Sequence, residues 1–519
     1  VKFHYKYFIF NKIEITLIYI HSKFIHSKLN LFTHSKFTHS LITPLMSQIN
    51  ITTPPSITQS RNQIGSITVN TAPALVTDTD YDDFEQDEYK DINAGVFFDG
   101  TLNNRENVEA GKEYDNMKDG KPYNADKAKQ AKGWFGKRSG SYENEHSNIS
   151  RSEPAYKEFK RGKLIQFRLY IEGIGTEDDA GDSKVGAGLG TGSTGIRAKV
   201  LKACEKVVDL IQEKGVEFID TLTIDTFGFS RGAAASRNFI YELYKRKGQI
   251  KAVYSAGTQA PPTIIEYKTD YGALGEALKA KGIEIRSLVV RYTGLYDTVA
   301  SSGVVHSNDT RELGLDAVRY SLHVLQLAAD DEHRANFRLT NINSKGSLEK
   351  FLPGVHSDIG GGYTDKSDED VRLNYTITNL NDLENDRDFL IEQGWYLPGE
   401  ITISKLWGTL TGKRKGLSYT YSFIPLHIMT EYALDKQVEF RKSEITGPYP
   451  IPPELSNTKK RLDKYVAGNV GKMSFDDPTD RAMLEILRNR YFHFSAKYNS
   501  IGMGPNIENG VRKRVIQNG

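Results

Sequence analysis

The sequence predicts an α/β fold: a mostly parallel β-sheet with helices on both faces, loop insertions and a helical C-terminal region. Three observations point there. Short apolar or β-branched runs alternate along the chain with helical patterns, as parallel strands joined by crossover helices require. Several of these runs end in Gly, Asp or His, at the strand ends where a parallel sheet gathers its functional residues. Finally, Gly228-Phe229-Ser230-Arg231-Gly232 stands between a strand pattern and an alanine-rich helix pattern.

In chain order, Ala94-Gly95-Val96-Phe97-Phe98 is the first core strand and runs into Asp99-Gly100-Thr101. The stretch from Leu102 to about Gly162 is polar and rich in Lys, Asn and Gly, and reads as surface loops with little regular structure. A second strand, Leu164 to Glu172, leads to Gly173-Ile174-Gly175-Thr176 and a glycine-rich loop. Ile196 to Lys214 has the periodicity of an amphipathic helix and carries Cys204. Leu222 to Phe227 reads as a strand and Arg231 to Tyr244 as a helix, with Ala233, Ala234 and Ala235 allowing close packing. Further strands span Ile285 to Thr293, ending at Gly294-Leu295-Tyr296-Asp297, and Leu348 to Leu352, ending at Pro353-Gly354-Val355-His356.

Length and composition suit one large domain or two ordinary ones, with hydrophobic and charged fractions ordinary for a globular protein. The single cysteine excludes an internal disulfide and a cysteine-based zinc site, and a buried structural thiol is expected. Residues 1–45 hold six lysines and one glutamate, so without them the net charge of +2 becomes −3. The overall balance therefore gives no reason to expect a nucleic-acid partner. This opening segment repeats the word His-Ser-Lys-Phe at His21 and His34, and has neither the unbroken apolar core of a signal peptide nor a spanning helix. It is read as a non-functional or mis-assigned extension, with Met46 as the expected start. Residues 46–93, polar and then strongly acidic, read as a disordered leader.

The central motif is G-x-S-x-G, the nucleophile elbow of α/β-hydrolases, in which a sharp strand-to-helix turn lifts a serine hydroxyl to the top of the sheet. Small flanking residues leave room for that turn. Asp297 and His356 follow the ends of candidate strands, and the chain order Ser230, Asp297, His356 is the order typical of the fold. The chemistry calls for all three, since a serine hydroxyl attacks only when an imidazole removes its proton and a carboxylate fixes the imidazole's tautomer. An oxyanion hole would come from the backbone N–H of Arg231 and that of Gly100 or Thr101. Asp99 could orient that loop or simply form its turn.

Four motifs carry a resemblance: Phe97-Phe98-Asp99-Gly100-Thr101-Leu102-Asn103-Asn104, Gly228-Phe229-Ser230-Arg231-Gly232-Ala233, Gly294-Leu295-Tyr296-Asp297-Thr298-Val299, and Pro353 to Tyr363. Together they resemble the bacterial type VI secretion phospholipase effectors, the first lipase-effector family. Weaker echoes at Leu327 to Arg334, Ile424 to Met429 and Leu487 to Ser495 extend the likeness from about Ile92 to the C-terminus. The resemblance implies an α/β-hydrolase phospholipase domain over residues 94–519 and a Ser230-Asp297-His356 triad cleaving acyl esters of glycerophospholipids, with no cofactor or metal. It also implies delivery from the producer's cytoplasm into a target cell with a type VI spike or tube component, and an immunity protein. Tyr296 departs from the tryptophan the family often has, and the segment from Thr101 to Leu164 is longer and more polar. An esterase or thioesterase on a soluble or carrier-bound acyl group would use the same triad, and a catalytically idle docking protein would keep the fold.

Competing signals are weaker. Gly190-Thr191-Gly192-Ser193-Thr194-Gly195 matches a dinucleotide fingerprint but follows a polar, acidic stretch rather than a strand. Glu177, Asp178, Asp179 and Asp182 lack the spacing of a calcium loop. His493 in an aromatic run and His427 on an apolar helix face read as core histidines, and Asp358 as a minor alternative to Asp297. For a membrane substrate, Trp134 and Phe135, and Trp407 with Lys413-Arg414-Lys415, are candidate contacts, the latter within a lid or membrane-facing insertion around 365–421.

Overall fold

The computed structural model describes residues 89–131, 140–176, 195–245, 265–266, 272–302, 307–308, 310–343, 347–376, 379–500 and 502–519. Its centre is an eight-stranded sheet. The strands are β1 (Lys90–Phe98), β2 (Phe159–Arg161), β3 (Leu164–Ile171), β4 (Phe218–Phe229), β5 (Ile265–Glu266), β6 (Glu284–Tyr296), β7 (Ser321–Ala329) and β8 (Ser347–Leu352). They lie in the order β8-β7-β6-β4-β1-β3-β2, with β5 pairing to β6. All pairings are parallel except β2 with β3 and β5 with β6.

Alternation along β1 sends Ile92, Ala94, Val96 and Phe98 to one face and Phe97 to the other. The first face is covered by α2 (Ile196–Glu213) and α3 (Arg231–Tyr244), following α1 (Arg105–Lys118) in the chain. On α2 an apolar stripe of Val200, Cys204, Val207, Val208 and Ile211 is fully buried. On the second face Phe97 stacks on Phe227, with ring centroids 4.6 Å apart. Burying such a ring contributes roughly 2–3 kcal/mol before the entropy of ordering it. Gly95 on this face leaves room for the Tyr156 ring, which a Cβ would meet at 2.8 Å. The Tyr156 hydroxyl donates to Asp225 at 2.9 Å, and Arg291 forks onto the same buried carboxylate.

The expected strands are present with ends shifted by up to a few residues, and the helix after the elbow spans the expected Arg231–Tyr244. β1 starts at Lys90, so the last residues assigned to the leader belong to the sheet. Three differences are larger. First, the segment from Leu102 to Gly162 is not merely loop. It forms α1, capped by the Asn104 side chain accepting from the Asn107 N–H, the short helices Ala125–Gln130 and Asn148–Ser152, and edge strand β2. Its apolar residues are sparse, and asparagine and serine caps rather than long hydrophobic stripes start these helices. Second, β7 lacks a strong strand pattern because its buried Gln326 is polar; that side chain donates to the Thr340 carbonyl and to Glu349. Third, the 365–421 region is a packed subdomain of β9 (Ser367–Tyr375), β10 (Ile401–Ser404) and β11 (Thr409–Leu417), antiparallel in the order β9-β11-β10, plus helix Leu380–Glu392. Its Val371, Leu383, Trp395 and Leu410 join the core of the second sheet face.

Candidate active site

Parallel register brings the ends of the strands together. Phe98 aligns with Gly228, Phe229 with Tyr296, Tyr296 with Leu327 and Ala329 with Leu352. Asp99, Ser230, Asp297 and the loop to His356 therefore leave the sheet along one edge.

Ser230 has φ 58° and ψ −125°, a strained conformation for a residue with a side chain. The surroundings hold it there. Its N–H donates to the Tyr296 carbonyl at 3.0 Å, and its carbonyl accepts from Ala233 at 3.1 Å. Both motif glycines are sterically required. A Cβ at Gly228 would lie 2.4 Å from the Gly232 carbonyl oxygen, and one at Gly232 would lie 2.2 Å from that of Asp99.

Asp297 is fully buried and also has positive φ, 45°. Its carboxylate is saturated. Oδ2 accepts from His356 Nδ1 at 2.6 Å and Arg514 Nη2 at 2.9 Å, while Oδ1 accepts from the Ala329 N–H and Arg514 Nη1, both at 2.8 Å. Burial alone would raise this carboxyl, but Arg514 and His356 hold it below the ordinary aspartate range. His356 opens the short helix His356–Gly360 between the rings of Phe229 and Phe337. Burial pushes the imidazole below its ordinary value, against the raising influence of Asp297. The Asp297 bond to Nδ1 directs Nε2 to be the proton acceptor. Among the described residues no hydrogen bond joins Nε2 to Ser230 Oγ. Hydrogen bonds of this kind commonly tighten only with substrate in place.

The loop after β1 faces the elbow. Asp99 accepts from Gly100 N–H (2.7 Å), Ser147 Oγ (2.5 Å) and the Tyr170 hydroxyl (2.6 Å), which orients the loop. The Gly100 N–H is thereby occupied. The Thr101 and Arg231 N–H groups donate to no described residue, and Arg231 Nε bonds Thr101 Oγ1 at 2.7 Å, tying loop and elbow together.

The two other histidines singled out in the sequence have structural partners. His493 bonds Asp358 at 3.1 Å and Ser367 at 2.9 Å and stacks on Tyr363, while Asp358 also accepts from the Val355 N–H. His427 bonds the Tyr449 carbonyl. Trp407 is 76% exposed and Leu406 84%, at the tip of the β10–β11 hairpin. Arg414, grouped with Trp407 as a lipid-facing cation, instead points inward, because alternation along β11 turns it to the core. There it pairs with Glu369 at 2.8 Å. Trp134, Phe135, the 190–195 glycine run apart from Gly195, and the acidic residues 177–182 lie outside the described residues.

Sequence reasoning missed several supports of the site. Glu332, fully buried, accepts from the His356 N–H at 3.3 Å and pairs with Arg334 at 2.8 Å. These two lay within the echo at Leu327 to Arg334, which was their available signal. Ser147, which bonds Asp99, and Asn148, whose Nδ2 donates to the Ile359 carbonyl of the His356 helix, come from the segment read as loop, and Arg514 had no signal at all.

A strained serine on a strand–helix elbow, beside a buried aspartate–histidine pair at the carboxyl edge of a parallel sheet, defines an α/β-hydrolase. Residues 96–383, more than half of the chain, match the family model "T6SS, Phospholipase effector Tle1-like, catalytic domain". The chain belongs to this family: it is a Tle1-like phospholipase effector of type VI secretion. Among solved structures, the Tle1 effector bound to the VgrG spike of the type VI secretion system is 20% identical with TM-score 0.55, covering 83% of this chain and 94% of that one. At that identity the likeness speaks for the fold. An uncharacterized protein from Pseudomonas aeruginosa is 18% identical over 74% of this chain and 52% of its own, with TM-score 0.39. A comparison with curated proteins returned no match.

Proposed function

We propose that the phospholipase reaction runs through Ser230, His356 and Asp297 on an acyl ester of a glycerophospholipid. The observation that carries this is the strained Ser230 elbow held on the same sheet edge as the buried Asp297–His356 hydrogen bond. Ser230 Oγ attacks the acyl carbonyl while His356 Nε2 takes its proton. The resulting oxyanion is held by the N–H groups of Arg231 and Thr101, each such donor contributing about 3 kcal/mol of transition-state stabilisation. Collapse expels the lysolipid alkoxide, which takes the proton from His356. Water, deprotonated by His356, then releases the fatty acid from the acyl-enzyme.

Leu406 and Trp407, with exposed Lys405 beside them, form the membrane contact in this reading. Among the described residues no helix is long and apolar enough to cross a membrane. As an antibacterial effector it would pass from the producer's cytoplasm into a target cell on a spike like the one that holds Tle1, with an immunity protein protecting the producer. Wild type and Ser230→Ala compared on defined vesicles, reading free fatty acid and lysolipid, test the assignment. Ser230-dependent release supports it. Release only from soluble esters or thioesters would favour the alternative acyl substrate, and release unaffected by the substitution would overturn the nucleophile.

A further inference from the structure

The last described segment, 502–519, runs as a strap across the molecule. The Asn506 N–H donates to the His333 carbonyl at 2.7 Å. Arg512 Nη2 reaches Asp386 on helix Leu380–Glu392 at 2.6 Å and the Leu373 carbonyl of β9 at 3.1 Å. Ile516–Gln517 pairs in parallel with Leu339–Thr340. Between these anchors Arg514 turns inward, 7% exposed, and its guanidinium closes on Asp297 with both terminal nitrogens while Nη1 also donates to the Ala329 carbonyl at 2.9 Å. The family match ends at residue 383, so this arginine comes from outside the matched segment.

A bidentate fork fixes the plane of a carboxylate, which a single bond from His356 does not. It also shares the carboxylate's charge. The charged groups around His356 are Asp297, Glu332 and Arg334, with Arg514 behind Asp297 and Glu349 near it. Phe229 and Phe337 close the remaining sides shown by ring contacts. Asp297 with Arg514 and Glu332 with Arg334 make two neutral pairs, so the imidazole sits in a charge-balanced enclosure.

We propose that Arg514, carried in by the C-terminal strap, is a positioning residue of the active site that clamps Asp297 and tempers its pull on the His356 proton. This rests on the roles proposed above for Ser230, Asp297 and His356. The enzyme is then competent only with the strap seated.

The test uses the full chain with Arg514→Ala and Arg514→Lys, following the His356 imidazole by NMR titration, assigned with His356→Gln, alongside kcat and KM on phospholipid vesicles. In Arg514→Ala the unshared Asp297 charge should raise the His356 midpoint by about one pH unit. The acid limb of kcat/KM should move up with it. Loss of the clamp should lower kcat by about 10²-fold with KM little changed. Arg514→Lys, with the charge but not the fork, should keep a near wild-type midpoint and still lose turnover. A midpoint unmoved in Arg514→Ala, or wild-type kcat in either variant, overturns the proposal. If Arg514→Ala does not fold, wild-type kcat in Arg514→Lys overturns it alone. If wild type shows no Ser230-dependent hydrolysis, the functional reading fails, while the titration still decides the electrostatic role of Arg514.

Discussion

Replacing Gly232 by alanine adds one methyl group where the elbow helix meets the oxyanion loop. That methyl would lie 2.2 Å from the Asp99 carbonyl oxygen and 2.4 Å from that of Phe98. Both are backbone atoms at the end of β1, so no side-chain rotation relieves the clash. Carbon contacts settle at about 3.5 Å, so β1 and α3 must part by roughly 1 Å. Overpacking of this kind costs about 1–3 kcal/mol, and the backbone origin places it at the upper end, a Tm fall of roughly 3–6 °C. The catalytic cost is larger, because the same displacement separates the Thr101 and Arg231 donors. A 1 Å misplacement lowers turnover by about 10²-fold. The assay is kcat/KM on a soluble short-chain ester beside a thermal melt, with Gly399→Ala as control. A Cβ at Gly399 meets no atom within 4 Å. That control should stay within about 0.5 kcal/mol of wild type. Wild-type turnover and Tm in Gly232→Ala would refute the argument that close helix–strand packing builds the elbow.

Since burial lowers His356, the base stays neutral below the ordinary histidine value. The acid limb of kcat/KM should therefore have its midpoint under about pH 6.5, and a midpoint above that value would contradict the enclosure described. The Tyr296 hydroxyl is buried without a hydrogen-bond partner among the described residues. Tyr296→Phe should then leave activity intact and leave stability unchanged or raise it by up to about 1 kcal/mol; destabilisation beyond that in a denaturant melt would reveal an unseen partner. Trp407→Ala should weaken sedimentation with anionic vesicles and spare soluble-ester hydrolysis, whereas unchanged vesicle binding would remove the hairpin tip from the membrane face.

What could be read from the sequence follows from how local each signal is. The elbow, its strand and its helix lie within one short stretch, and α3 begins and ends where the alanine-rich pattern does. Asp297 was legible because it follows an apolar strand directly, and His356 because it closes the short Pro-Gly-Val turn after one. The opposite holds for β7, whose buried Gln326 finds its partners on neighbouring segments and so blurs the alternation. Arg414 sits between two exposed lysines, and only pairing with β9 decides which way it faces. Arg514 is the extreme case. Its carboxylate partner lies 217 residues away, and a basic residue in a polar segment carries no mark of that contact.

The lone cysteine adds a practical consequence. Cys204 is sealed on the sheet-facing side of α2, and burial pushes its thiol far above the range in which thiolate forms. A thiol-alkylating reagent can then reach it only when the layer between helix and sheet opens. Because α2 packs against α3, those openings loosen the support of the elbow itself. The chain thus carries its own unfolding clock: the rate at which one alkyl mass is added counts excursions of the scaffold that holds Ser230, with no label engineered in.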